Sequence, residues 1–406
     1  MASLNRSGRL AVCTSGNKIG VFQLGKFDSW QELVIDSQEE AKKEDEKTAE
    51  YQKEDGSDRI LASAFSNCGQ YFAITNDQKN LVLYDCSGSK WKHISTRCVA
   101  RRCTTLRFSQ DDATVVVADK SGDVFRFSVD RPQEEGELLL GHLSMVLDMI
   151  LIRDDKFMVT CDRDEKVRIS HFPNAYNIHT YCLGHTEFVS KLLYIKEKDV
   201  IVSGGGDGSI RFWTVDGKQL LCIPRPDEQP PGGGDDEKEK ITPAIKCLCY
   251  SPAEHCLLVA YDSLPCLRIY SLSSSTTKGD VFLFADLKQE VTLMHSPWDI
   301  CCDQSDFVWV LQPVEGETLT VWSFCEGQLC QVTDPSDDAV TPIEKVNSNW
   351  AFFKDSLSVE NMFTVLRKAK VDNMKEYLER KQQRLGGKGQ QATDQGVSPA
   401  KKLKAN

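Results

Sequence analysis

Two histidines with neighbouring hydroxyl groups are the residues of this sequence that most resemble catalytic groups. His142 lies two residues before Ser144, and His185 is followed directly by Thr186. A histidine beside a hydroxyl group could act as the general base for a nucleophile. Both histidines, however, follow a glycine, and they stand 43 residues apart. Because a catalytic group need not recur at a fixed interval, the repetition favours a structural role in a repeated unit.

A glycine-rich stretch at residues 204–208 could be mistaken for a phosphate-binding loop. It follows the apolar run Val200–Val202 and leads into a second strand-like run, Ile210–Trp213. A phosphate-binding loop connects a strand to a helix, whose N-terminal N–H groups face the anion. The strand-to-strand context therefore predicts a tight β-turn.

A repeat positions all of these residues. Its predicted strand ends lie at Tyr84, Phe127, Ser170 and Trp213, each 43 residues after the one before. An interval of about 40–45 residues is typical of WD40 repeats, each of which forms one four-stranded blade. The sequence therefore predicts an all-β, seven-bladed WD40 β-propeller over residues 1–345. A propeller is a rigid display surface, which favours a binding scaffold over an enzyme.

The best-formed repeat predicts a buried polar tetrad. Its members are His185, Ser203, Asp207 and Trp213. The imidazole, hydroxyl, carboxylate and indole N–H can satisfy one another, which avoids the cost of burying unpaired polar groups. The preceding repeat offers the same network through His142, Thr160 and Asp164. Ser170 stands there in place of the tryptophan.

Composition excludes several classes of function. The formal net charge of −11 argues against a body that binds nucleic acid by charge alone. No apolar run reaches the roughly 20 residues of a membrane span, and the first ten residues lack a signal-peptide core. We expect the 16 cysteines to be reduced, buried thiols of a cytosolic or nuclear protein. None of them has the spacing of a zinc site, so no metal is expected.

Several segments depart from the repeat. Residues 36–59 carry ten acidic against five basic residues, and residues 224–240 are rich in proline and glycine. Both are predicted to be flexible insertions between blades. Residues 346–385 are predicted to be a helical extension, since Val371, Met374 and Leu378 can share one face. Residues 386–406 are predicted to be a disordered basic tail, whose Lys-Lys-Leu-Lys run at 401–404 fits a nuclear import signal.

The extension is basic, with eleven lysines and arginines against four acidic residues between 366 and 406. The basic residues of interest in its helix are Lys375, Arg380, Lys381 and Arg384. Their face could simply be hydrated while the apolar stripe packs on the propeller. It could instead follow a phosphate backbone and release counterions on contact. The residues alone leave both interpretations open.

A second charged feature is the run 162–168, which has six charges in seven residues. It could be a solvated turn, with Asp164 belonging to the tetrad of its blade. It could also be an edge on which a partner protein docks, because charges at a rim can fix the register of a bound protein.

Five blocks of this sequence resemble the WD-repeat non-catalytic subunits of eukaryotic tRNA (guanine-N7)-methyltransferases. They lie at residues 100–104, 117–124, 141–145, 162–168 and 182–190. The specific parts are Asp-Arg-Asp-Glu-Lys at 162–166 and Ala-Asp-Lys-Ser-Gly-Asp at 118–123. General propellers share only the Gly-His and turn positions. The resemblance is good over residues 60–215 and weaker in the last two blades.

The resemblance implies a non-catalytic scaffold that binds the catalytic methyltransferase subunit. It further implies that the complex positions tRNA for N7-methylation of a guanine in the variable loop. S-adenosylmethionine would bind the partner, and this chain would hold no cofactor. A nuclear location, with the cytoplasm also possible, is expected.

The resemblance also implies which residues make these contacts. Charged residues at the rim of the third and fourth blades would pair with the catalytic subunit, namely Lys120, Asp164, Glu165, Lys166 and, first among them, Arg168. Asp164 is thereby assigned both to the tetrad and to the interface. The family's C-terminal helix lies near the catalytic subunit and tRNA. This favours RNA contacts for the four basic residues of the extension, Lys375, Arg380, Lys381 and Arg384.

A general protein-interaction propeller, such as a substrate receptor of a ubiquitin ligase, is the alternative. Receptors of that type often carry Trp-Asp-x-Arg after the third strand of a blade. Here Trp213 is followed by Thr214, and Trp322 is followed by Ser323. The alternative therefore lacks its expected motif.

Overall fold

A computed structural model describes most of the chain. The described residues are 2–24, 29–35, 57–225, 242–277, 280–303, 305–334, 343–359, 362–368, 378 and 380–381. Most of the two predicted insertions and the whole of the predicted tail, with its Lys-Lys-Leu-Lys run, lie outside these ranges. Val371, Met374, Lys375 and Arg384 lie outside them as well.

The described residues form seven four-stranded antiparallel sheets, each made of consecutive strands. The first four blades contain β1 (Ser3–Ser7), β2 (Leu10–Ser15), β3 (Lys18–Gln23), β4 (Gln31–Val34); β5 (Ile60–Phe65), β6 (Tyr71–Asn76), β7 (Asn80–Asp85), β8 (Lys92–Cys98); β9 (Cys103–Phe108), β10 (Thr114–Asp119), β11 (Asp123–Ser128), β12 (Glu137–Gly141); and β13 (Val146–Ile152), β14 (Phe157–Asp162), β15 (Val167–His171), β16 (Ile178–Cys182). The last three contain β17 (Val189–Ile195), β18 (Val200–Gly205), β19 (Ile210–Trp213), β20 (Gln219–Ile223); β21 (Ile245–Ser251), β22 (Cys256–Tyr261), β23 (Cys266–Thr277), β24 (Asp280–Thr292); and β25 (Asp299–Cys302), β26 (Val308–Leu311), β27 (Leu319–Cys325), β28 (Gln328–Gln331). The predicted seven-bladed propeller is confirmed.

The middle strands of the blades are apolar because both of their faces are covered by neighbouring blades. In β18 all six residues are buried, and in β10 the five residues after Thr114 are buried. A strand covered on both faces is a continuous apolar run instead of an alternating one. This is why the repeat is visible in the sequence as short runs of Val, Ile and Leu.

The order of strands defines two faces of the propeller. In each blade, the turn between the second and third strands lies at the same end as the connection to the next blade. We call this end the upper face, and the opposite end the lower face. The run 162–166 forms the turn between β14 and β15, so it lies on the upper face.

The ring closes between the first and the last blade without a shared strand. The backbone N–H of Leu4 donates to Asp299 Oδ2 at 3.0 Å, and Arg6 forms a buried ion pair with Asp303. The Arg6 guanidinium lies 4.6 Å from the ring centre of Trp309, whose indole N–H donates to Asp303 at 2.8 Å. Side chains therefore hold the two ends of the ring together.

Two short helices cover this seam from the upper face. They are α1 (Ile343–Ser348) and α2 (Trp350–Leu357). Their buried residues Val346, Phe352 and Phe353 pack in one cluster with side chains of the first and last blades. The side chain of Asn347 bonds both backbone groups of Leu319 in β27, at 2.8 and 3.1 Å. The helices thus belong to the seam.

A third helix, α3 (Met362–Leu366), continues over the upper face. Among the described residues, the α-helix Ile343–Ser348 thus starts inside the range predicted for the propeller. Residues 1–367 form one compact unit, and residues 368–406 form another. The division between propeller and extension at residue 345 therefore does not correspond to the compact units.

The state of the cysteines differs from the expectation. Cys249 of β21 and Cys302 of β25 form a disulfide between neighbouring blades, whereas all 16 cysteines were expected to be reduced. Periodicity could not reveal this pair, because the two cysteines are 53 residues apart and meet only when the blades pack. In the sixth blade the third strand continues beyond Tyr270 to Thr277 and pairs with the long β24.

Among the described residues, no helix is long and apolar enough to cross a membrane.

We predict that Phe353→Ala strongly destabilises the protein, because Phe353 is fully buried between the first and last blades. Removing a buried aromatic ring costs about 3–5 kcal/mol of unfolding free energy. The matched control is Phe284→Ala on β24, where the ring is half exposed, and it should change stability by no more than about 0.5 kcal/mol. Urea denaturation of both variants tests this. Equal midpoints would contradict a seam closed by packing.

Candidate partner-docking rim

The structure brings the four residues of the predicted tetrad together. With its proton on Nδ1, His185 donates to Asp207 Oδ2 at 3.0 Å, and its Nε2 lies 2.8 Å from Ser203 Oγ. The indole N–H of Trp213 donates to the same hydroxyl oxygen at 2.8 Å. The backbone N–H groups of Thr186 and Ser209 also donate to Asp207. The network links the connection before the blade to its upper turn.

The fourth blade builds this network with a different carboxylate from the one predicted. His142 Nδ1 lies 3.1 Å from Asp162 Oδ2, and its Nε2 lies 2.7 Å from Thr160 Oγ1. Asp162, not Asp164, is therefore the acidic member. Thr160 and Asp162 are two residues apart in β14, so both side chains point to the same side of the sheet. Spacing missed this because Gly205 occupies the matching position in the fifth blade.

The tetrad carboxylates are held in their ionised form. Burial by itself raises the pKa of Asp207, but the hydrogen bond and charge of His185 and two backbone N–H groups outweigh it. The net effect lowers this pKa to about 2. Asp162 follows the same pattern, and its pKa is lowered by His142 and the N–H of Lys166 against the opposing effect of burial. Both residues thus serve the fold and have no free proton to exchange near neutral pH.

Asp162 also fixes the upper turn of its blade. Its Oδ1 accepts the backbone N–H groups of Asp164 at 2.9 Å and Lys166 at 3.0 Å. Glu165 has a positive φ of 71°, close to the 74° of Gly208 at the matching position of the next blade. A non-glycine residue adopts this conformation only where its surroundings stabilise it. The turn that carries Asp164, Glu165 and Lys166 is therefore held in one conformation.

Arg168 does not occupy the exposed position expected of an ion-pairing residue. It is only 6% exposed in β15, where Nε donates to Ser170 Oγ at 3.1 Å and Nη1 donates to the Gly141 carbonyl at 3.0 Å. Burial lowers the pKa of this guanidinium. In the free chain, Arg168 therefore positions the connection before the fourth blade. The repeat could not show this. Ser170 occupies the position that Trp213 occupies in the next blade, and its hydroxyl accepts a hydrogen bond from Arg168.

The two predicted lysines lie at the surface of the same rim. Lys166 and Lys120 are exposed, and Asp164 and Glu165 are half-exposed. The turn of Lys120 packs tightly on the next connection, because a Cβ on Gly122 would lie 2.6 Å from the Ser144 carbonyl oxygen. The His142 N–H donates to the Gly122 carbonyl at 2.8 Å. The upper turns of the third and fourth blades thus present one continuous rim.

A residue that the sequence analysis did not single out ties this rim to the C-terminal helices. Arg163 Nε donates to the Leu366 carbonyl at the end of α3 at 2.9 Å, and Nη2 donates to the Val365 carbonyl at 3.4 Å. Phe363 stacks on Phe188 with ring centres 6.0 Å apart. Arg367 donates to the carbonyls of Gly206 and Thr242. No periodic signal could have paired Arg163 with residues 200 positions away.

Two exposed leucines are also part of the rim. Leu143 follows His142 in the connection to the fourth blade, and its side chain is fully exposed. Leu183 precedes Gly184-His185 in the next connection and is 67% exposed. A signal existed in the sequence, since each leucine adjoins a Gly-His connection that must lie at the surface.

The residues predicted to contact RNA are only partly described. Arg380 and Lys381 are exposed and helical, whereas Lys375 and Arg384 lie outside the described ranges. All four belong to the second compact unit, residues 368–406.

The central channel contains a cavity of about 920 Å³, lined by the first strands of the blades. Several charged groups there interact with one another or with backbone groups. Asp148 accepts from Arg107 at 2.9 Å and from the backbone N–H of Leu192 at 3.0 Å. Burial raises the pKa of Asp299, whose Oδ2 accepts the Leu4 N–H. Burial alone would lower the pKa of Lys191, but nearby Asp148, Cys247 and Asp299 raise it.

Thiols near the channel are protonated. Burial and the charge of Asp299 raise the pKa of both Cys247 and Cys301 to about 12. A thiol needs its thiolate form to act as a nucleophile or a metal ligand. Within the described ranges, no group of three or more His, Cys, Asp or Glu side chains could hold a metal ion.

Comparisons with known proteins agree with this picture. The model of a family described as "tRNA methyltransferase TRM82 WD40 domain" matches residues 30–135 and 127–310. The tRNA (guanine-N(7)-)-methyltransferase non-catalytic subunit wdr4 of Danio rerio is 38% identical over 371 residues, which cover 90% of this chain and 87% of that protein. The subunit WDR4 of Homo sapiens is 34% identical over 380 residues, covering 92% and 88%. The subunit wuho of Drosophila melanogaster is 31% identical over 343 residues, covering 81% and 75%.

A solved structure shows the same fold. A chain of the "Crystal Structure of Mitotic Checkpoint Complex" superposes with a TM-score of 0.58 at 13% identity, covering 82% of this chain and 86% of that one. Fold and sequence together define a non-enzymatic WD-repeat propeller. More specifically, the chain belongs to the family of non-catalytic subunits of tRNA (guanine-N7)-methyltransferases.

We predict that the tetrad carboxylate makes the stability of the protein sensitive to acid. The pKa of Asp207 is about 2 in the folded chain and about 3.9 in an unfolded one, so the unfolded state takes up a proton first as the pH falls. The contribution, about 2–3 kcal/mol, is complete above about pH 5 and is lost progressively as the pH falls through about 2. Asp207→Asn should therefore be less stable than the wild type at pH 6, and the gap should narrow by pH 3.

Urea denaturation of both proteins at pH 6, 4 and 3 measures this gap. Asp216→Asn on the lower side of the same blade is the matched control. Its carboxylate is 85% exposed, so the substitution should change stability little at pH 6. A gap between the wild type and Asp207→Asn that stays constant down to pH 3 would contradict the prediction.

Proposed function

We propose that this chain is the scaffold of a tRNA (guanine-N7)-methyltransferase complex. Its upper rim at the third and fourth blades binds the catalytic subunit, and the complex positions tRNA for methylation of a guanine in the variable loop. S-adenosylmethionine binds the catalytic subunit. The observation that supports this most is the charged turn 162–166, which Asp162 holds in one conformation at the surface of a chain whose relatives are named non-catalytic subunits.

Rigid display favours this use of the turn. A flexible charged loop loses conformational freedom on binding, whereas a preorganised one does not. Asp162 bonds His142 and Arg163 bonds the end of α3, whereas Asp164 and Glu165 are half-exposed and Lys166 is exposed on the same turn. Lys120 on the neighbouring turn extends the same charged edge. Charges arranged in this way steer association and fix the register of the bound protein.

Arg168 contributes to binding in a different way from the one first expected. Its hydrogen bonds to Ser170 and to the Gly141 carbonyl hold the connection that carries His142 and Leu143. We therefore propose that Arg168 holds the rim in its position in the free chain. A charge that remains buried also becomes costly if its partners are removed.

We predict that Lys166→Glu weakens binding of the catalytic subunit, and that Lys120→Glu does the same. Each exposed ammonium is replaced by the opposite charge at the proposed interface, and we expect a loss of roughly tenfold, mainly through slower association. The control is Lys156→Glu. Lys156 is exposed on the lower turn of the fourth blade, at the other end of β14.

Surface plasmon resonance with the purified catalytic subunit gives both affinity and association rate. Methyl transfer to tRNA, measured for this chain alone and for the mixture, completes the test, and only the mixture should be active. Wild-type affinity in both rim variants would contradict the rim. Failure of the unmodified chain to bind would contradict the function itself, and co-purification with ubiquitin-ligase subunits instead would favour the adaptor class.

We also propose that the basic residues of the second unit contact tRNA. Replacing Lys375, Arg380, Lys381 and Arg384 together by alanine should make tRNA binding by the complex less dependent on salt. Each lost phosphate contact reduces the slope of log K against log salt by about 0.7–0.9. The control is the double variant Lys156→Ala with Lys218→Ala, on the lower turns. An unchanged slope in the quadruple variant would indicate that this face is only hydrated.

A further inference from the structure

Large apolar side chains are exposed on both sides of the charged turn 162–166. Leu143 lies in the connection before the fourth blade, and Leu183 lies in the connection after it. The first is fully exposed, and the second is 67% exposed. Both connections lie on the upper face, as the charged turn does.

The helix α3 adds a second apolar element to the same face. Phe363 and Leu366 are buried against the fourth and fifth blades, in a cluster with Phe188 and Trp213. Met362 and Val365 lie three residues apart on the adjoining side of this helix, and they are 51% and 66% exposed. Residues three apart lie on the same side of a helix. The helix therefore has two apolar sides, of which the propeller covers only one.

The charged turn links these elements directly. Arg163 donates to the carbonyls of Val365 and Leu366, so the turn and the end of α3 form one unit. Tetrad networks hold the two connections that carry the leucines, through His142 and His185. All four exposed apolar residues thus stand on rigid supports around one turn. We call Leu143, Leu183, Met362 and Val365 the apolar collar.

Single exposed leucines are common on protein surfaces and need no explanation. The collar differs because its members surround a charged turn on one face and are carried by three separate elements. Protein–protein interfaces combine apolar contact area with charged groups that fix orientation, and this face carries both side by side. A surface for nucleic acid would instead present basic groups and few aliphatic side chains.

We infer that the apolar collar provides the contact area for the catalytic subunit, while the charged turn fixes its orientation. This inference rests on the proposed function and assigns new residues to the same interface. The partner surface that fits this face is apolar opposite the four collar residues, with acidic groups placed to meet Lys120 and Lys166. The collar is continuous with the charged rim through Arg163, so one partner covers both.

The test compares three collar variants, Leu143→Asp, Leu183→Asp and Val365→Asp, with the wild type, using the purified catalytic subunit and the full-length chain. Each variant places a charge where apolar contact is expected, so binding should weaken at least about tenfold. The control is Phe284→Asp. Its side chain is as accessible as that of Met362 but lies on β24 of the sixth blade, and binding should change less than about twofold.

Salt separates this effect from that of the rim charges. The weakening caused by Lys166→Glu should diminish at high salt, because surface charges are screened, whereas the weakening caused by the collar variants should persist. Leu143→Met should bind as the wild type does, because it keeps an apolar side chain of similar volume. Thermal denaturation should give the same midpoint for all of these proteins, since the changed side chains are exposed.

The outcomes distinguish this inference from the proposed function. If the unmodified chain does not bind the catalytic subunit, both fail. If it binds and the collar variants bind equally well, only the apolar collar is overturned. A collar variant that retains the partner but loses tRNA would overturn it too, because the surface would then serve nucleic acid.

Discussion

Closure of the ring between the first and last blades is the constraint on which the rest of the structure depends. Each described blade is formed by consecutive strands, so in the part of the chain that the structure describes no strand from one end completes a blade at the other. Closure instead uses the buried Arg6–Asp303 pair, Trp309, and the packing of α1 and α2 over the seam. A buried ion pair contributes little unless its remaining polar groups are satisfied. The indole N–H that also reaches Asp303 provides part of that satisfaction.

Covering the seam has a consequence for the opposite side of the upper face. After α2 the chain runs across this face, and α3 reaches the turns of the fourth and fifth blades. The same C-terminal segment that covers the first and last blades therefore also supports the charged turn. α1 and α2 thus pack at the seam, whereas the end of α3 and Arg367 contact the rim.

The sequence predicted what repeats, and it missed what occurs once. The interval of 43 residues predicted the blades and the residues of the His185 network. The same interval predicted Asp164 as the tetrad carboxylate of the fourth blade, because Asp164 lies 43 residues before Asp207. It could not show that side chains alternate along β14 so that Asp162 reaches His142 instead. The sequence also missed three interactions that join segments distant in the sequence. They are the hydrogen bonds of Arg168 to Gly141 and of Arg163 to Leu366, and the Cys249–Cys302 disulfide. Pairs of this kind are determined by packing, which a single sequence does not display.

The interactions of the groups in the central channel explain why a large polar cavity is compatible with membership of a non-catalytic family. Catalytic acids, bases and nucleophiles need pKa values near the working pH and an unsatisfied partner. In the channel, Asp148 already accepts from a guanidinium and from backbone N–H groups, and burial holds Cys247 and Cys301 as thiols. The charges inside the ring therefore stabilise the fold. Charged side chains at the surface lie instead at the rim, where Asp164 and Glu165 are half-exposed and Lys166 is exposed. The fold thus pairs charges inside the channel and displays charges on its upper face.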